Sequence, residues 1–248
     1  MLKLKKDDDN WIEKRWPTRI FYGEKGQIMH PYSRSQAPNL NLMNCYYRCK
    51  SYHTFGCDAG LKLQEAFEQN CVRASLVPHA PYSVSFNLWK LLSNYFGAHT
   101  ITMHNQETMD ENEFFEKKTG SFLGMYERTK VSLDFFEATG LSSLQSVLPY
   151  FKKAASSILV HNSFTSASDI KAVQKEMPNS FWCLCPNANQ YIEKTMPPIE
   201  LLRASGAEIV IGTDSYASNW SLNIIDELKS NLPKKQKETA TIQDIEQI

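Results

Sequence analysis

The sequence has no excess of either charge: its 248 residues carry 27 Lys and Arg against 27 Asp and Glu. A nucleic-acid footprint needs a basic face, so this balance argues against a nucleic-acid partner. No apolar run approaches the roughly 20 residues needed to span a bilayer. The charged start MLKLKKDDDN also lacks the apolar core of a secretory leader. A soluble, cytoplasmic chain with no membrane partner is the expectation. With 42% hydrophobic residues, it is apolar enough to bury a core and unlike a disordered segment.

Cysteine is not scarce, with six residues at 45, 49, 57, 71, 183 and 185. In a cytoplasmic chain these are expected to be free thiols. Cys45, Cys49, His53 and Cys57 follow one another at intervals of four and raise the question of a zinc module. On a continuous helix they would line one face over about 18 Å. Bonds of about 2.0–2.3 Å cannot gather so long a row onto one ion. The segment reads as an amphipathic stripe or an irregular stretch.

The texture changes near residue 58. Residues 1–57 are polar and aromatic without a convincing periodic element, although Arg19 to Tyr22 has strand character. Leu61, Leu63, Ala66 and Phe67 then suggest a short helix. Five short apolar runs follow, at 73–78, 100–103, 157–160, 181–185 and 208–212, each suited to a buried strand. Helical stretches lie between them at 86–96 and 168–177, with Ser166 or Ser168 available as an N-cap. A third, IELLRASG, has Gly206 as its stop. Strands alternating with helices predict an α/β fold with a parallel sheet. Residues 108–155 read as an insertion of one or two helices with a loop, placed to shape a substrate pocket. The tail after Pro233 is polar and solvated, so the expected division is 1–57, 58–230 and 231–248.

Four of the five runs are followed at once by a ligand-type or acid–base residue: His79, His104, His161 and Asp214. Three of the chain's six histidines thus sit at carboxyl ends of predicted parallel strands, where α/β sheets and barrels bind ligands. His and Asp are ordinary zinc or iron ligands, and a metal-bound water ionises near neutral pH. Glu107, three residues after His104, can face the same pocket and manage protons.

In order along the chain, HAPYS, MHNQET, LVHNSF, CPNAN and IGTDSYASN resemble the amidohydrolase superfamily, in its branch of cytosine deaminases, nucleoside-type deaminases and chlorohydrolases. The resemblance runs from about residue 60 to about 230. It implies a partial (β/α)8 TIM-type barrel, strands four to eight with covering helices. It implies a metal-dependent hydrolase of carbon–nitrogen bonds that deaminates a nitrogen heterocycle, with one divalent ion, zinc or iron. His104 is similar to the strand-five metal ligand, and Asp214 to the strand-eight ligand and general base. Glu107 resembles the acid that exchanges a proton with a substrate ring nitrogen. His161 resembles the histidine that touches the activated hydroxide or the tetrahedral intermediate. His79 resembles a substrate-contacting position, or else simply donates to a backbone carbonyl. Asn189 and Ser218–Asn219 resemble braces of the strand-seven and strand-eight loops, or else are turn residues only.

The family's metal site also begins with a His-x-His pair, and this sequence contains none. The reading that follows is an internal piece of a longer enzyme with two of four expected ligands. Three alternatives remain open: a catalytic deaminase, a chlorohydrolase, and a non-catalytic fragment or subunit. The expected partners are a small heterocyclic amine and either a second copy or a complementary chain.

Overall fold

The computed structural model describes residues 21–23, 27–29, 44–49, 73–129, 131–134 and 136–230, with side chains from Ser75 onward. The chain divides into two compact units, 1–103 with 149–157 and 104–148 with 158–248.

In the first unit, β1 (Phe21–Gly23), β2 (Gln27–Met29), β3 (Asn44–Cys49) and β4 (Arg73–Pro78) form a four-stranded sheet in that order. The first two pairings are antiparallel, whereas β3 and β4 run parallel with Asn44 opposite Arg73 and Cys49 opposite Pro78. Three strands therefore occupy a region with no convincing periodicity. Each of β1 and β2 is only three residues long, too short for alternation to register, and pairing supplies the order that local pattern does not. Cys45 and Cys49 sit on β3, which removes the helical stripe; His53, Cys57 and the helix suggested at 61–67 lie outside the described residues.

After β4 comes α1 (Phe86–Leu92), capped by Ser85, whose hydroxyl accepts the Leu88 N–H at 3.3 Å. Its buried face presents Leu88, Trp89 and Leu92. Trp89 stacks on Tyr150 at 5.6 Å between ring centres and tilts against Phe151 at 5.5 Å. Phe96 closes the cluster on Phe151.

Strands β5 (Thr100–Asn105), β6 (Ser156–His161), β7 (Ser180–Leu184) and β8 (Glu208–Ile211) make a second four-stranded sheet in chain order. The carboxyl ends of β5 and β6 belong to the second unit, and β7 and β8 pair in parallel from Phe181–Glu208 to Leu184–Ile211. Helices α5 (Ala167–Glu176), α6 (Pro186–Glu193) and α7 (Ile199–Ala204) follow their strands, and α8 (Ile224–Ser230) follows β8. This is the α/β, partial (β/α)8 architecture expected from the sequence, with all five apolar runs found as strands.

The insertion contains α2 (Met109–Lys117), α3 (Ser121–Arg128) and α4 (Ser143–Val147). It has an aromatic core of its own, in which Phe114 stacks on Phe136 at 4.3 Å and on Tyr126 at 5.4 Å. Lys118 ties its loop by donating to the carbonyls of Leu133 and Phe136 at 3.1 and 2.7 Å. No helix among the described residues is long and apolar enough to cross a membrane.

Trp89 is fully buried and central to the first unit's aromatic cluster. Trp89→Ala is expected to cost about 3–5 kcal/mol by cavity formation, read as a lower urea midpoint by circular dichroism.

Candidate metal centre

Three strand ends of the second unit deliver the site. His104 is the fifth residue of β5, His161 the last of β6, and Asp214 lies three residues beyond β8. Burial alternates along β6 so that Ser157, Leu159 and His161 point inward. The ligand-capable atoms of His104, His161 and Asp214 all lie within 4.8 Å of one another. The two imidazole rings sit 5.2 Å apart between centres. Two imidazoles and a carboxylate are an ordinary donor set for zinc or iron, and this spacing is of the size that one ion can draw together. No other such group occurs among the described residues.

The backbone is strained where it turns the donors inward. His161 and Asp214 have φ of +78° and +55°, and Asn162 has +61°. Such conformations cost about 1–3 kcal/mol each for a non-glycine residue, so surrounding bonds must hold them. Asn162 donates through Nδ2 to the Leu159 carbonyl at 2.8 Å and accepts from Asn105 Nδ2 at 3.0 Å. Its N–H reaches the Asn105 carbonyl at 2.9 Å.

Asn189, at the first turns of α6, grips His161 twice. Its Nδ2 donates to the His161 carbonyl at 3.2 Å, and its Oδ1 lies 3.0 Å from Nδ1 of the ring. The amide nitrogen being committed, Nδ1–H is the donor to Oδ1, and Nε2 is the ring nitrogen on the Glu107 side. Glu107 Oε1 stands 3.7 Å from that Nε2, beyond direct hydrogen-bond range.

Around Asp214, the Ser218 hydroxyl donates to Oδ2. Asn219 Nδ2 spans from the Thr213 carbonyl to Glu227 Oε1, at 2.5 Å each, and Glu227 Oε2 accepts the Asn187 N–H at 2.9 Å. Burial pushes the Glu227 carboxyl upward, and the charge of Asp214 adds to this, against the bonds from Asn187 and Asn219. Beneath this loop a Cβ on Gly212 would lie 2.9 Å from Cys183 Sγ and 3.3 Å from Cys185 Sγ, so only glycine fits without displacement. The two thiols share a hydrogen bond that lowers Cys183 and raises Cys185.

The sequence-derived residues thus assemble in part. His104, Glu107, His161 and Asp214 belong to one unit, with Asn189, Ser218 and Asn219 as braces. His79 belongs to the other unit, where its Nδ1 lies 2.9 Å from Ser83 Oγ, and it is not in the grouped donor set. Residues the sequence did not single out are Gln106, Glu111, Asp169 and Glu227, all essentially buried. Glu111 shares the apolar face of α2 with Phe114 and Phe115 at i+3 and i+4. A carboxylate in that stripe was the available signal.

The amidohydrolase family profile matches residues 59–244 of the chain. An adenosine deaminase of Helicobacter pylori is 26% identical over 201 residues, 78% of this chain and 46% of that protein. An aminodeoxyfutalosine deaminase of Deinococcus radiodurans is 28% identical over 169 residues, 65% and 40% of the two chains. The crystal structure of Helicobacter pylori aminofutalosine deaminase superposes with a TM-score of 0.68 at 23% identity, covering 82% of this chain and 53% of that one. A triazine hydrolase variant superposes at 0.56 and 13% identity, covering 82% and 45%; both likenesses are of fold. The chain spans less than half the length of these curated relatives.

Burial raises the Glu111 carboxyl from its ordinary 4.5 to about 7, the Ser143 hydroxyl and Gln106 N–H opposing and the Glu107 charge assisting. Folding therefore tightens proton binding, so its contribution is complete below 4.5 and is lost as pH rises through 7. Stability from this group is expected to fall by about 3 kcal/mol across that window. Urea midpoints measured against pH should show the fall in the parent and a flatter profile in Glu111→Gln.

Proposed function

Because this chain belongs to the amidohydrolase family, we propose that it carries the strand-five, strand-six and strand-eight portion of a hydrolytic deaminase site for a 6-aminopurine nucleoside or related heterocyclic amine. The observation that carries this reading is the convergence of His104, His161 and Asp214 within 4.8 Å. Relatives named for adenosine and for 5-methylthioadenosine share an adenine ring, which favours that substrate class over other heterocycles. The overall reaction replaces a ring-carbon amino group with oxygen, consuming water and releasing ammonia.

His104 and Asp214 would hold the ion, with His161 beside it. Zinc or iron, when bound, supplies the Lewis acidity that ionises water near neutral pH. Asp214 takes a proton from the attacking water and later returns it to the leaving amine, while the Ser218 hydroxyl on Oδ2 keeps its carboxylate oriented. Glu107 delivers a proton to the ring nitrogen next to the attacked carbon and recovers one from the new hydroxyl as ammonia leaves, which distinguishes deamination from simple amide cleavage. His161, its Nδ1 proton held by Asn189, offers Nε2 to accept a hydrogen bond from the water and aim it.

A second reading, a non-catalytic subunit or a partner to a complementary chain, is favoured by one observation: the sequence holds no His-x-His pair. Chlorohydrolysis is a chemically close variant of the first reading, since the same water attack expels chloride.

Elemental analysis of the purified chain beside His104→Ala, Asp214→Ala decides between the two main readings. Near-stoichiometric metal in the parent and none in the double variant is the expected result. Ammonia release from adenosine or 5-methylthioadenosine should then fall at least about 100-fold in Glu107→Gln, as loss of a positioned acid predicts. A folded parent that holds no metal would overturn the catalytic reading and favour the subunit.

A further inference from the structure

On a continuing strand, residues three apart point to opposite faces. His104 and Glu107 are three apart, yet both reach His161, one by ring contact at 5.2 Å and the other at 3.7 Å from Nε2. The residue between them that departs from strand geometry is Gln106, with φ of +46°. Glycine is the low-cost residue for that conformation, whereas this position holds a glutamine with 0% exposure.

Gln106 uses every polar group it has. Its N–H donates to Glu111 Oε1 at 3.0 Å and its carbonyl accepts the Phe164 N–H at 3.2 Å. Side-chain Oε1 accepts from Thr165 Oγ1 at 2.6 Å and from Asn105 Nδ2 at 3.3 Å. Nε2 donates to Asn112 Oδ1 and to Asp169 Oδ2, each at 3.1 Å. These partners come from β5, α2, the β6–α5 loop and α5 itself. Asp169 is in turn held by Gln145 Nε2 at 2.8 Å and by the Ser166 N–H at 2.9 Å.

We propose that Gln106 is a positioning residue that sets the Glu107 carboxylate against His161, with Glu111 holding its backbone and Asp169 its side chain. The left-handed turn reverses the face presented after His104, and the side-chain bonds fix the direction of the reversal. They also offset the strain that glycine would have avoided. The catalytic meaning of this rests on the reading of Glu107 as the proton-transferring acid; the positioning itself does not.

The test is a double-mutant comparison on metal-free protein at one pH, reading the side-chain 15N resonances of His161. In the parent background, Glu107→Gln is expected to shift the Nε2 resonance, because the carboxylate lies beside it. In a Gln106→Gly background the same substitution should leave Nε2 unmoved. That glycine tolerates the positive φ and keeps the N–H bond to Glu111, so the turn survives while the side-chain anchors are lost. Gln106→Met, nearly isosteric and without polar atoms, should behave alike. Glu111→Gln, whose amide oxygen still accepts from Gln106, should keep the parent shift, which separates geometry from charge. A Glu107→Gln shift of equal size in the parent and Gln106→Gly backgrounds would overturn the proposal, as would its absence in the parent. Failure to release ammonia with these shifts intact would count against the deaminase reading alone.

Discussion

Electron-pair donors do not gather spontaneously. Two imidazoles and a carboxylate brought within 4.8 Å of one another lose solvation and, in the absence of a cation, gain little in return. The second unit meets this by fixing backbone rather than side chains first. His161 and Asp214 are both in left-handed conformations, and each sits where a parallel strand has just ended. Contacts of Asn189 and Ser218 fall on the residues at those turns, and those of Asn162 and Asn219 on the residues beside them.

The holding is done in a shared manner. Asn189 fixes the His161 carbonyl and ring together. Asn219 links the residue before Asp214 to a buried carboxyl on α8, and Asn162 ties β6 to both β5 and β7. Side-chain amides suit this work because each donates and accepts at once, so one residue satisfies the orphaned groups of two strand ends. Buried networks rigidify a site to the extent that their members are satisfied; here Asn162, Asn189 and Asn219 each use their amide groups, whereas Asn105 Oδ1 and Glu111 Oε2 are left without a partner among the described residues.

Much of the second sheet could be read from the chain itself, because buried parallel strands are short uninterrupted apolar runs and their ends carried His104, His161 and Asp214. Asn189, Ser218 and Asn219 were legible only through family likeness, since an asparagine after a strand is equally a turn residue until its partners are known. Gln106 gave no signal, because nothing in a sequence marks a glutamine at positive φ. Glu111 was overlooked for a different reason: among Asp110, Asn112 and Glu113 it looks like one of several solvated residues, and only its helical spacing to Phe114 and Phe115 marks it as the one on the buried face. In the first unit the strand character at 19–22 anticipated β1 in part; β2 was missed because three residues are too few for a period to register, and β3 because Cys45 and Cys49, four apart, read as a helical stripe.

Asp169 has a double duty. One carboxyl closes the capping box of α5 with Ser166 and receives Gln106 Nε2 from the neighbouring loop. A helix end normally frays independently of its surroundings, at little free-energy cost. Here the first turn of α5 cannot open without releasing Gln106. Helix start and site loop therefore form a single cooperative opening unit, and amide exchange at Asp169, whose N–H the Ser166 hydroxyl binds, reports on both.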